Sequence, residues 1–565
     1  MSVVTATADK PRMPSFNAQG LLVMGVIYAG LAGTVLLPLA AVFVQSVVAD
    51  GGMSVEKVHD IFTSPSIIDA TINTVVSSAV ATVLAAVMGI TLAWLVARSN
   101  MPFKRMFDPL NMIPFYLSSI VGALSWQVIA APRTGIANTL LAPIFNGPVF
   151  NIYSMWGIAF VLGLFYTPYV YLFTLGSLQS MDAALEEAAR MSGATKLQTA
   201  LRITLPLSAP AILSACILVF VTSAGIFGVP LVLGVPGRVH TLSTLIYRYI
   251  NEYPSDFAAA GILSSGLFLF TVALTGLQMM LLRGKRFTTV TGKGYRPRTI
   301  DLGNWKWVGA GVNATYLLFV IVPFAALLIV SFQDAWTGSI DLARFTFKNY
   351  YQIMFVDVTA RRGLVNSLII STVGATIAVA VSLALALVIQ RTRLPGRQGI
   401  VWVAMLPVTV PGIVLGFGFL IAFVSTPIYG TIWLIMLAYI VHYLPTGLRN
   451  TESLVQAVSR ELDESARMSG ATWGRAMTRI VVPLVTPGMV SIWLLMFVTF
   501  IREVSASMML FTYGTETMSI ALIRIMEYEP YGVSGAFGVL QTLLLLSCVV
   551  FIRRISSSRQ SSQTA

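Results

Sequence analysis

The chain has 565 residues, 56% hydrophobic and 10% charged, with a formal net charge of +13. Soluble domains carry about 25% charged residues, so this composition excludes an ordinary water-exposed globular protein and indicates a membrane protein. The two cysteines, Cys216 and Cys548, lie in separate apolar runs, which argues against a disulfide framework or a cysteine-based metal site.

The first apolar run starts at Leu21, "LLVMGVIYAGLAGTVLLPLAAVFV". It is too long for a signal-peptide core and no small-residue cleavage site closes it, so a retained span is expected. Further runs begin near Ala70, Leu110, Tyr153, Leu207 and Ala258, then near Val308, Asn366, Ile400, Gly430, Leu484 and Ser534. None alternates with the period of two that a spanning strand needs, and a helix crosses the hydrocarbon with about 20 apolar residues. The expectation is an all-α polytopic membrane protein of about twelve spans. Its expected parts are an N-terminal tail over 1–20, one helical unit over 21–282, a basic linker over 283–307, a second unit over 308–554 and a tail over 555–565.

Charge orients these spans. With both termini inside, the inner segments hold 26 Lys/Arg against 10 Asp/Glu and the others 10 against 13. Positive residues are retained on the cytoplasmic side during insertion, which fixes this topology. Because the charge is spread over many short loops, it forms no single patch and does not point to nucleic acid.

The two units repeat. "NTVVSSAVATVLAAVMGITLAWLVARS" from Asn73 matches "NSLIISTVGATIAVAVSLALALVIQRT" from Asn366, and "MIPFYLSSIVGALSW" from Met112 matches "MLPVTVPGIVLGFGF" from Met405, both at an offset of 293. The nonapeptides "EEAARMSGA" from Glu186 and "DESARMSGA" from Asp463 lie 277 apart, so the first unit carries a 16-residue insertion, placed after Trp126. Six spans separate equivalent points, so the repeat is parallel. Both nonapeptides fall on inner loops. Each combines helix formers and small residues with a glycine that lets the chain turn.

Glu187-Ala188-Ala189, Gly193, Ile203 and Leu205-Pro206 resemble the EAA motif of type I ABC importer permeases. The second copy reads Glu464-Ser465-Ala466, Gly470, Ile480 and Val482-Pro483, departing mildly at Ser465 and Val482. The resemblance covers essentially the whole chain, as two fused permease halves. It implies that Glu187, Ala188, Ala189, Gly193, Glu464, Ser465, Ala466 and Gly470 form two coupling helices for a cytoplasmic ATPase dimer. It also implies an external substrate-binding protein, periplasmic or lipid-anchored, and residence in a bacterial inner membrane. No G-x-x-x-x-G-K-[ST] loop occurs, since "GKGYR" from Gly292 lacks the upstream glycine and the hydroxyl. No cofactor is therefore expected on this chain, with ATP and Mg on the partner ATPase.

The three histidines, His59, His240 and His442, are far apart and suggest no hydrolytic or metal constellation. His442, near the inner end of a span, reads as a hydrogen-bonding packing residue. Arg502 and Glu503 in "FVTFIREVSASMMLF" stand inside an apolar run, roughly 27 Å along their helix. Charges in a membrane are costly and usually face a cavity or the bundle interior. Two readings stand side by side: residues of the translocation path, or a structural salt bridge or snorkelling arginine. The pair, with "FGVPLVLG" in the first half, resembles the iron(III)-type branch of the family. That branch implies ferric iron as substrate, with thiamine or 2-aminoethylphosphonate as alternatives. A secondary transporter would need carboxylates within the spans, which are nearly free of them.

Overall fold

Among the residues described by the computed structural model (18–49, 52, 53, 55–181, 186, 188, 189, 191–282 and 299–563), ten helices are long and apolar enough to cross a membrane. In the first unit they are α1 (Gly20–Val47), α2 (Pro65–Arg98), α6 (Met155–Ser180), α7 (Ala200–Gly225) and α9 (Phe257–Leu281). In the second they are α10 (Trp305–Ser331), α11 (Val358–Arg391), α14 (Ile432–Ala457), α16 (Trp473–Ile501) and α19 (Tyr531–Cys548). The chain is thus all-α in its spans. A two-residue ribbon, Val48–Ala49 against Gly52–Met53, closes one loop.

The third and ninth expected spans are broken. α3 (Lys104–Tyr116) and α4 (Ser119–Ala130) meet at a bend of 99°, and α12 (Arg397–Thr409) and α13 (Gly412–Phe423) at 111°. In the second break Val410 is extended just before Pro411. A proline disfavours helical backbone in the residue it follows, because its ring crowds that residue. The same place in the first half is extended at Leu117 and Ser118. Apolar length alone read each broken pair as one straight span.

The 16-residue insertion contributes an extra helix, α5 (Ile136–Phe145). Buried Asn138 ties it down, accepting from Val149 N at 2.9 Å and Phe150 N at 2.8 Å while donating to Ala131 O at 3.0 Å. Other boundaries shift as well. α10 begins at Trp305, inside the expected linker, and the last helix runs as far as Gln563, through the expected tail. Residues 1–17 and most of the basic linker, 283–298, lie outside the described residues.

Each half lends its first helix to the other. α1 packs against α13 as well as against α9 of its own half, and α10 packs against α4 as well as against α19 of its own half. The close approach needs a residue without a side chain, since a Cβ at Gly418 would collide with the carbonyl of Pro38. The apolar faces left outward, such as Leu318 and Phe319 on α10, belong against lipid tails, where no driving force buries them.

Candidate functional site

The second nonapeptide lies on α15 (Arg460–Met468), between α14 and α16. Ser459 caps its start, accepting from Glu461 N. The helix ends with Ala471 N donating to Ala466 O at 3.0 Å and with Gly470 at φ +89°. That bond, five residues back, with a left-handed residue beside it, is the Schellman closure that glycine adopts without a Cβ penalty. The first copy repeats it: Ala194 N donates to Ala189 O at 3.0 Å and Gly193 has φ +89°. No heavy atom lies within 4 Å of a Cβ built on either glycine, so backbone conformation and not space selects glycine.

Glu464 and Ser465 on α15 and Gly470 just after it are exposed, as is Ala188 on the first copy, while Ala466 and Ala189 are half-buried. Glu187 lies outside the described residues. The equivalent methionines beside the motif, Met191 and Met468, are 91% and 89% exposed. A bare apolar side chain thus recurs at matching points of both loops.

The first acid of each nonapeptide points the other way, a feature missed by sequence reasoning. Asp463 pairs with Arg391 at 2.6 Å, with side chains 7% and 2% exposed, and Glu186 pairs with Arg98 at 3.5 Å, with side chains 7% and 0% exposed. The signal was present: Arg98 and Arg391 obey the span offset of 293, and both acids the motif offset of 277.

After each loop the chain widens into a π-helical turn, Ala200–Thr204 and Met477–Val481, just before Pro206 and Pro483. Proline lacks an N–H and crowds the carbonyl four residues back, and the wider turn relieves both.

Between the halves lies a cavity of about 330 Å³, lined by Phe115, Tyr166, Tyr169 and Thr271 from the first and His442, Tyr443, Arg502 and Glu503 from the second. The broken helices bound it, so their kinks create the space. α16 stops at Ile501, leaving Arg502 and Glu503 at its end. The Arg502 guanidinium donates to the carbonyl of Phe115 across the interface and stands 5.5 Å over that ring. Buried Glu503 accepts from the Tyr443 hydroxyl and from Ala506 N at 3.1 Å, and its own carbonyl accepts from Tyr439 at 3.2 Å. Among the described residues no ion pair involving Arg502 or Glu503 is formed, so the expected structural salt bridge is not what holds them. Gly225 and Ile226 occupy the same points in the first half and line the same cavity without charge. His442 lies midway along α14 and not at its inner end; its ring is edge-on to Tyr443 at 4.7 Å, and its buried Nδ1 has no hydrogen-bond partner. Among the described residues no cluster of three or more His, Cys, Asp or Glu could hold a metal.

The family described as "Binding-protein-dependent transport system inner membrane component" matches the chain twice, over residues 85–285 and 378–562. The two matches start 293 residues apart, the offset of the repeat. The chain belongs to this family. The permease is 27% identical over 493 residues to a putative ferric transport system permease protein of Haemophilus influenzae, covering 86% of this chain and 77% of the relative. It is 25% identical over 523 residues to a ferric transport system permease protein of Actinobacillus pleuropneumoniae, covering 92% and 75%. It is also 27% identical over 277 residues to a sulfate transport system permease protein of Salmonella typhimurium, covering 48% of the permease and 96% of that shorter chain. The permease is therefore a fused, two-half, multi-pass ABC importer subunit, and its relatives are named as transport proteins.

Proposed function

We propose that this permease forms the membrane path of an ATP-driven importer for ferric iron. The observation that carries the substrate is coverage: the relatives named for ferric transport align with both halves in one chain, over 86% and 92% of it, whereas the sulfate relative aligns with about half. An external binding protein, periplasmic or lipid-anchored, delivers the substrate, and two cytoplasmic ATPase subunits supply ATP and Mg chemistry. Glu187, Ala188, Ala189 and Gly193, with Glu464, Ser465, Ala466 and Gly470, form the two docking helices. Their support is the repeated closure at Gly193 and Gly470 and the bare methionines beside them. Both termini are cytoplasmic, following the Lys/Arg bias.

In this reading ATP binding closes the ATPase pair, draws the docking helices together and opens the cavity outward. Hydrolysis resets it. Glu503 and the tyrosines around it offer the oxygen donors that a hard cation prefers. Arg502 supports a second reading, an oxyanion cargo, because a guanidinium suits a tetrahedral anion. Titration of the cognate external protein with ferric iron, sulfate, thiamine and 2-aminoethylphosphonate decides between them. Tight binding of ferric iron alone is the expected result, and tight binding of any other solute in its place overturns the substrate assignment.

A further inference from the structure

α2 and α11 are each 34 residues long, about 51 Å of helix, and each is fastened at its docking end and again about two turns in from its far end by side chains in equivalent positions. At the docking end Arg98 meets Glu186 and Arg391 meets Asp463, all four buried. Arg391 further donates to Val455 O at 2.8 Å and to Val458 O at 2.5 Å, closing the junction between α14 and α15. At the far end Asn73 donates to His240 O at 3.0 Å and Thr74 accepts from Leu242 N at 2.9 Å. Asn366 donates to Gly514 O and Glu516 O, both at 3.0 Å, and Ser367 accepts from Met518 N at 2.7 Å.

Those far loops lead to the cavity. They open α8 (Leu242–Asn251) and α18 (Met518–Tyr528), and α17 (Ser505–Leu510) links Glu503 to the second of them. Ser243 donates to the carbonyl of Ile226, which lines the cavity, at 2.7 Å. We propose that Arg98 and Arg391 are positioning residues that clamp each docking helix to a long span, so that α2 and α11 act as rods carrying ATPase motion to the far mouth of the cavity. A buried charge pair suits this work. Separating it exposes two charges to a low dielectric, so the joint resists shear better than an apolar contact, which slides. The joints differ. Among the described residues no nitrogen of the Arg98 guanidinium makes a hydrogen bond, whereas Arg391 makes three. The second half therefore carries the stiffer rod.

The proposal rests on the ATP-driven reading above and is tested without reference to cargo. The complete complex, with ATPase and binding protein, is placed in lipid nanodiscs with Cys216→Ser and Cys548→Ser and spin labels on Asn251→Cys and Tyr513→Cys, both exposed far-end positions. In the parent complex a non-hydrolysable ATP analogue shifts the label distance; absence of any shift there would overturn the ATP-driven reading and the rods with it. Arg391→Leu and Asn366→Leu, at opposite ends of one rod, should each assemble with the ATPase yet lose most of the shift, with stimulated hydrolysis reduced by about tenfold or more. The exchange Arg391→Asp with Asp463→Arg should recover at least half of it. Arg98→Leu should give the smaller loss. A full shift in both single variants, or an assembled exchange variant with none, overturns the proposal while leaving the importer reading intact. So does a failure of both single variants to assemble, which would assign these residues to folding instead.

Discussion

At the scale of single residues, Glu503 is held for a reason other than charge pairing. It accepts from the half-buried Tyr443 hydroxyl and from the buried backbone N–H of Ala506. Glu503→Ala should cut uptake by about tenfold while leaving ATPase association intact. Tyr443 would lose its acceptor, which costs about 1–3 kcal/mol. The double variant Glu503→Ala/Tyr443→Phe removes that orphan; uptake restored to normal in the double variant would assign the pair to stability alone. Gly193 and Gly470 pose a separate question. At φ +89° any other residue costs about 1–2 kcal/mol, so Gly470→Leu should loosen the closure and lower uptake and stimulated ATP hydrolysis together, at normal abundance. Release of the ATPase on detergent extraction is expected for the double variant Gly193→Leu/Gly470→Leu. Its co-purification at full yield, with normal uptake, would end the docking assignment. The glycines were legible in the sequence because a turn demands a residue type. Arg98 and Arg391 were not, because an arginine at the inner end of a span is what topology already expects.

Secondary elements follow the same division. Ten straight spans could be read from apolar length, since that length is what the bilayer requires. The two kinks could not. "PVTVPG" contains the prolines, but a proline in a membrane helix is tolerated when neighbours satisfy the freed backbone. Here the neighbours are in the opposite half: Arg502 donates to Phe115 O, and Thr271 donates to Thr409 O at 2.6 Å. Nothing local to either helix encodes those partners. Thr271→Val keeps the shape and deletes one donor, at about 0.5–1.5 kcal/mol. It should lower the thermal midpoint of the purified complex slightly and raise its basal ATP hydrolysis, because the second kink is freed. An unchanged midpoint together with unchanged basal hydrolysis would show that this bond does not hold the kink.

For the whole molecule, the Lys/Arg asymmetry makes a sharp prediction. Cysteines placed at the exposed positions Met191, Glu464 or Met468 should react only from the cytoplasmic side, and those at Asp60 and Asp357 only from outside. Labelling at Glu464 from outside sealed cells would invert the map. The duplication, its offsets and the insertion were all visible before any fold was known. The exchange of first helices was not, since equal apolar runs carry no mark of which half they will join. Chains cut within residues 283–298 and co-expressed should rebuild the transporter, as α1 and α10 find their partners across the cut. Either half alone should be degraded, and stable accumulation of the first half by itself would contradict the exchange.

That exchange also sets a timetable for synthesis. α1 starts at Gly20 and its partner α13 at Gly412, and translation at about 5–20 residues per second separates their emergence by roughly 20–80 s. For that interval the first helix can pack against α9 of its own half but lacks its neighbours in the other. Its face for α13 must wait in the bilayer, shielded by lipid or by the insertion machinery, while seven further spans are threaded past it. A pause in translation before Gly412 thus leaves a half-made transporter with its earliest helix covered on one side only, giving membrane quality control a long window in which to discard it.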